Sequence, residues 1–249
     1  MVVHNSIVTL DKKNIKIQVD HTCPVTELES QVTEIFHFED YKLGLIKKNM
    51  TILDVGANIG LSVKYFQEWA KKIYALEPEA TCFFCLEKNT KQFKNVERFN
   101  VGLGYKTGSI NMYSENEDLP PQTMMPSDTM INNNPYMEMV KVMRIDDFFE
   151  QEKIKHIDLM KIDTEGAEYF IFPSDGFKKV ASKIDYIIGE AHYKTSIPQT
   201  IPVMLKEYGF KTKILPRKNS LFFTHYNKEE GMEERTFSVS LPTMFFAYR

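Results

Sequence analysis

The sequence predicts an α/β protein built on a mostly parallel sheet that closes with an antiparallel C-terminal strand. Two observations carry this expectation. Short β-branched runs alternate with helical stripes through the middle of the chain, and three further strand-like runs near the C-terminus have no helix between them. Strand, helix, strand is the βαβ unit, whose right-handed crossover gives a parallel sheet covered on both faces.

The elements follow in order. Residues 6–10 and 15–19 suggest a short strand pair, and a helix is expected around residues 25–36; together they form an N-terminal annex over residues 1–45, ahead of a main domain over 46–249. Runs at 51–55, 72–76, 96–101, 157–162 and 185–189 read as strands. After Gly60, the residues Ile59, Val63, Phe66 and Ala70 fall on one helical stripe, and Phe83, Leu86, Thr90 and Phe93 make the next. Near the end, Pro198 suits a first helical turn, Ile201, Met204, Leu205 and Tyr208 form a stripe, and Gly209 suits its stop. The runs at 210–215, 221–225 and 244–248 then supply the antiparallel edge. Between them, residues 114–139 carry Pro120, Pro121, Pro126, Pro135 and five methionines, too long for a plain connection and suited to a substrate-facing insertion or lid.

A hydrophobic content of 43% over 249 residues can enclose one substantial core. The net charge is −3, and no long run of Lys or Arg occurs, which counts against a nucleic-acid acceptor. No stretch of about 18 apolar residues exists to span a membrane. The N-terminus lacks the apolar centre of a secretory signal, and three cysteines (Cys23, Cys82, Cys85) fit a reducing compartment, so a cytoplasmic protein is expected. Cys82 and Cys85 fall inside a predicted helix and read as buried thiols.

The segment from Ile52 to Gly60 leaves a buried strand and enters a helix. Gly56 permits a tight turn and Gly60 a close approach of ligand or backbone. A dinucleotide fingerprint needs glycine where Asn58 stands, so a pyrophosphate fits poorly. The acidic Asp54 suits a cationic ligand carrying an ammonium or sulfonium. By itself the loop also fits a purely structural turn. Glu77 narrows the choice: it ends the next strand, 21 positions after Gly56, where an acid that binds ribose hydroxyls belongs. Each charge-assisted bond of that kind contributes roughly 1.5–3 kcal/mol.

Asp54-Val-Gly-Ala-Asn-Ile-Gly60, Ala75-Leu-Glu-Pro78, Asn95-Val96 with Gly102-Leu-Gly104, Ile145-Asp-Asp147 and Lys161-Ile-Asp-Thr-Glu-Gly-Ala-Glu168 together resemble the FkbM family of methyltransferases over roughly residues 35–215. The resemblance implies a Rossmann-like class I methyltransferase fold with a mostly parallel seven-stranded sheet. It also implies S-adenosyl-L-methionine as cofactor and O-methylation of a hydroxyl on a sugar, small molecule or natural product. Asp54, Gly56, Ala57, Asn58, Gly60, Glu77, Pro78, Gly102 and Asp163 are the expected cofactor-binding residues.

Asp163 should face the methionine portion of the cofactor, and Glu165 should project toward the acceptor, with Glu168 on the same side one turn on. Methylating an alcohol requires its proton to be removed, and Glu165 and His192 are the candidate bases, giving Glu165, His192 and Asp163 as the catalytic set. Asp163, Glu190 and His192 offer a metal site as an alternative, although the family resemblance requires no metal. The rival functions are methylation of an RNA or protein acceptor, or a non-catalytic scaffold of the same fold.

Overall fold

In the computed structural model the chain is described at residues 6–10, 15–19, 28, 31–37, 41, 47–114, 123, 136–191, 200–215 and 243–249. Its strands are β1 (Ser6–Leu10), β2 (Ile15–Val19), β3 (Met50–Val55), β4 (Ala70–Leu76), β5 (Val96–Phe99), β6 (Gly102–Gly104), β7 (Gly108–Ser114), β8 (Tyr136–Arg144), β9 (Ile157–Ile162), β10 (Ile184–Ala191), β11 (Lys211–Leu215) and β12 (Thr243–Tyr248). The α-helices are α1 (Leu61–Phe66), α2 (Ala80–Thr90), α3 (Ile145–Gln151), α4 (Glu168–Ile171), α5 (Asp175–Val180) and α6 (Thr200–Lys206).

Seven strands form the main sheet in the order β11-β12-β10-β9-β3-β4-β5. The pairs β3–β4, β4–β5, β3–β9 and β9–β10 are parallel, whereas β12 runs antiparallel to both β10 and β11. This is the mostly parallel sheet with an antiparallel C-terminal strand that the sequence predicts. The strand order reverses at β3, so β3 and β9 flank the crevice where open α/β sheets hold their ligands.

Period-two alternation splits the core between the two faces. Ile52, Ile73, Ala75, Leu159 and Ile188 point to one side, where Val63, Phe66 and Leu86 cover them, joined by Leu28, Val32, Ile35 and Tyr41 from the N-terminal segment. Leu53, Tyr74, Leu76, Met160 and Ile187 point to the other, against Phe148, Phe149, Ile171, Phe177 and Leu205. At the edge of the sheet opposite the crevice, His156 Nε2 lies 3.1 Å from Asp185 and 3.7 Å from Asp158, which also accepts the Thr51 N–H at 2.6 Å. Those contacts tie the starts of β3, β9 and β10 together.

Several expectations need adjusting. Ala70 does not extend the first helical stripe: α1 ends at Phe66, Trp69 N donates to Phe66 O, and Ala70 already opens β4. Around this turn the Tyr65 ring packs edge-on against Phe66 and tilted against Trp69, with centroids 5.5 and 5.0 Å away. The strand expected over 96–101 stops at Phe99, and Gly102–Gly104 joins a separate three-stranded sheet in the order β6-β8-β7. Part of the 114–139 insertion is thereby strand, since β8 begins at Tyr136. β1 and β2 pair antiparallel as expected. Of the helix expected at 25–36, Leu28 and residues 31–32 are helical, and Thr33–His37 is a π-helical turn. Gly209 stops α6's segment at φ 84° as expected. Pro198 and the run at 221–225 lie outside the described residues.

Gly189, in the middle of β10, has no room for a side chain. An added Cβ would lie 2.4 Å from Ile162 O and 2.9 Å from Phe245 Cε1, so the neighbouring strands would have to part. Gly189→Ala is expected to destabilise the fold by about 1–3 kcal/mol, read as a shift in the urea midpoint at unchanged slope.

Candidate active site

The parallel register of β3 and β9 sets Asp54 opposite Lys161, and the register of β9 and β10 sets Lys161 opposite Ile188. Side chains two residues further along share that face, so Asp163 and Glu190 belong to it as well. Lys161 is 2% exposed. Its ammonium donates to Gly56 O at 2.7 Å and lies 3.4 Å from Asp54 Oδ1 and 3.6 Å from Asp163 Oδ2. Burial works against the charge on Lys161, but Asp54, Asp163 and Glu190 together outweigh it, and its pKa stands above the usual lysine value. Burial raises the pKa of Asp54, with Lys161 and the Ser62 hydroxyl, 2.6 Å away, pulling the other way. The sequence reading gives Asp54 to a ligand cation; the structure gives its enclosed carboxylate to Lys161 and to α1.

The first loop is held by its own amides. Gly56 N and Ala57 N both donate to Leu76 O, and Gly60 N to Ala57 O. Asn58, at φ 48°, donates its N–H to Glu77 Oε2 at 2.8 Å, and Glu79 N donates to Oε1 at 3.0 Å. Glu77 thus sits at the end of β4, bridging the first loop to the start of α2. Burial pushes its pKa up to about 7, against the two backbone donors, which lower it. The helix-capping acid here is its neighbour: Glu79 accepts from Thr81 N and Cys82 N at the start of α2. On the far side, Gly102 lies against Pro78, whose ring carbons would be 3.3 Å from an added Cβ. Asn100 Nδ2 donates to the carbonyls of Glu77 and Pro78.

The second loop meets the first directly. A Cβ on Gly56, which lies at φ +77°, would fall 1.9 Å from Asp163 O. No other residue type fits that contact. Asp163 remains partly open, with its side chain 26% exposed, where that of Asp54 is fully enclosed. Glu165 is exposed and takes a left-handed backbone at φ 52°, followed by Gly166 at φ 109°. Glu168 does not accompany Glu165 toward the acceptor. Its carboxylate is fully buried and accepts from Thr164 N at 2.7 Å, Thr164 Oγ1 at 2.8 Å and Gly166 N at 3.0 Å. It shapes the loop from beneath because the helix begins only at Glu168 itself.

The structure therefore brings Gly56, Asn58, Glu77, Asp163 and Glu165 to one edge of the sheet. His192 lies outside the described residues, one position beyond the end of β10. Lys161 is the residue that sequence reasoning leaves without a role. The available signal is a lysine inside an otherwise apolar strand run, a position that requires a partner.

The chain matches the Methyltransferase FkbM domain over residues 54–212, a span that begins at Asp54 and includes both loops. It belongs to the FkbM methyltransferase family. Its methyl donor is accordingly S-adenosylmethionine. The methyltransferase sdnD of Sordaria araneosa is 25% identical over 223 residues, covering 75% of this chain and 84% of that protein. Methyltransferase 1 of Beauveria bassiana is 26% identical over 167 residues, covering 58% and 67%. Among solved structures, the precorrin-6y C5,15-methyltransferase of Geobacter metallireducens superposes with a TM-score of 0.50 at 12% identity, over 98% of this chain and 95% of that one, a likeness of fold. Among the described residues of this FkbM-family chain, no helix is long and apolar enough to cross a membrane.

Lys161→Met would leave the Asp54 carboxylate buried without its cation, and breaking such a pair destabilises by about 3–5 kcal/mol. The already raised pKa of Asp54 would rise further. The folded variant then binds a proton that the unfolded chain has released above its ordinary carboxylate value, so its stability is greatest in acid and falls as pH rises through the raised value. Urea melts across pH 5 to 8 should show a steeper slope in the variant than in the wild type, where Glu77 already contributes one, and adding Asp54→Asn should remove the excess.

Proposed function

We propose that this chain transfers the methyl group of S-adenosylmethionine to a hydroxyl oxygen of a small molecule, sugar or natural product. The observation that carries this reading is the position of Glu165. It is an exposed carboxylate on the loop whose Asp163 carbonyl abuts Gly56, at the edge where Glu77 also ends its strand. A base next to the donor pocket is what an alcohol acceptor requires.

The residues fit the donor. Glu77 accepts one backbone N–H on each oxygen and keeps lone pairs for the two ribose hydroxyls. Pro78 and Gly102 would form a wall for the adenine, with the first loop, Gly56 to Gly60, beneath the nucleoside, and with Ala57 and Asn58 in its turn. Asp163 is the carboxylate open enough to meet the ammonium of the methionine portion, while Asp54 acts through Lys161 and Ser62. S-adenosylmethionine supplies a methyl group already activated on a sulfonium. The remaining task of the protein is alignment, which can contribute up to about 7–11 kcal/mol in well-oriented systems, together with removal of the hydroxyl proton. Glu165 would take that proton as the acceptor oxygen displaces the thioether from the methyl carbon, leaving S-adenosylhomocysteine. His192 is the second candidate for the role.

Two tests follow. Glu77→Ala should weaken S-adenosylhomocysteine binding at least tenfold by calorimetry, on the order of one lost charge-assisted bond. With adenosine as a probe that does not titrate near neutrality, wild-type affinity should rise as pH increases through about 7, where Glu77 ionises and gains acceptors, and this slope should vanish in Glu77→Gln. An affinity that is flat with pH would remove Glu77 from the ribose. Glu165→Gln should keep S-adenosylhomocysteine affinity while losing about 10²–10⁴-fold in labelled-methyl transfer to a metabolite extract. Unchanged transfer would pass the role of base to His192.

A further inference from the structure

We infer that Thr123 is a positioning residue for Glu165, fastening the insertion between β7 and β8 to the loop that carries the base. This rests on the reading of Glu165 given above. A left-handed backbone is uncommon for a residue with a side chain, and it persists only where the surroundings hold it. At Glu165 the peptide unit joining it to Gly166 is held at both ends. Its N–H, on Gly166, donates inward to Glu168 Oε2 at 3.0 Å. Its carbonyl, on Glu165, accepts from the Thr123 hydroxyl at 2.9 Å on the outside. One plane is gripped at both ends by residues 45 positions apart in the chain, as Thr123 and Glu168 are numbered.

Thr123 has its own anchor. Tyr113, near the end of β7, donates its N–H to Thr123 O at 2.8 Å and accepts from Thr123 N at 3.4 Å, an isolated antiparallel bridge. The connection therefore runs from the β6-β8-β7 sheet through Thr123 to the Glu165 carbonyl. Glu168 alone fixes the N–H end and leaves the peptide able to tilt about it. The Thr123 hydroxyl removes that tilt, and with it the freedom of the backbone torsion that aims the Glu165 side chain. A base displaced by about 1 Å can lose on the order of 10²-fold in rate.

Thr123→Val keeps the shape and deletes the donor, and Thr123→Ser keeps the donor on a smaller side chain. Labelled-methyl transfer from S-adenosylmethionine into a metabolite extract should fall about ten- to a hundredfold in Thr123→Val, with S-adenosylhomocysteine affinity unchanged, and should return in Thr123→Ser. A hydroxyl that served only to hold the insertion in place would leave transfer intact or lower affinity as well, and either result overturns the proposal. A thermal cycle reads the same contact without any acceptor. Glu165→Gly relieves the left-handed strain and should raise Tm by about 2–4 °C in the wild type, with a smaller gain in the Thr123→Val background. Equal gains in the two backgrounds would overturn the coupling. Should Glu165→Gln retain full transfer, the assignment of the base fails, and the thermal cycle still decides whether Thr123 holds that peptide.

Discussion

The C-terminal edge of the sheet depends on one buried cation. The Lys161 ammonium reaches the Gly56 carbonyl, Asp54 and Asp163, and so joins the end of β3, the loop after it and the loop after β9. Strand pairing alone places these groups side by side, but it would leave Asp54 as a naked charge in an apolar layer. With the lysine present, the acid orients Ser62 at the start of α1, and the same lysine holds the carbonyl of the glycine that meets Asp163. A single side chain thereby settles both the local charge and the relative placement of the two loops.

Carboxylates serve as backbone clamps around that centre. Glu77 closes on Asn58 and Glu79, Glu79 on the first turn of α2, and Glu168 on Thr164 and Gly166. In each case two amide donors that would otherwise be left unsatisfied at a turn are taken by one acid. The loops are thus held by groups of the chain itself, and such preorganisation lowers the ordering cost of binding. The same burial that makes Glu77 a good clamp also pushes its pKa up to about 7.

Much of this was legible in the sequence, for identifiable reasons. Buried parallel strands write themselves as apolar runs, so β3, β4, β9 and β10 could be read directly, and the acid ending β4 stood out against them. What was hidden depended on register or on distance. Lys161 declares its partner only once β9 lies beside β3. Glu168 looked like a companion of Glu165 on a helix face, but the left-handed turn at Glu165 and Gly166 delays the helix and sends the carboxylate inward. The small sheet was hidden by its glycines: Gly102-Leu-Gly104 reads as a ligand loop and is also a strand. The alternation Val140-Lys141-Val142-Met143 did carry a strand signal, masked by the irregular composition just ahead of it.

The pairing of Asp54 with Lys161 also bears on how such a sequence drifts. Loss of Lys161 strands the Asp54 charge in the interior, loss of Asp54 leaves the lysine to Asp163, and a change at Gly56 meets the Asp163 carbonyl whatever side chain arrives. Replacement of the lysine therefore has to follow, or coincide with, replacement of an acid more than a hundred residues earlier in the chain. The order of change is thereby set by the packing: the acid first, the lysine after it, the glycine not at all.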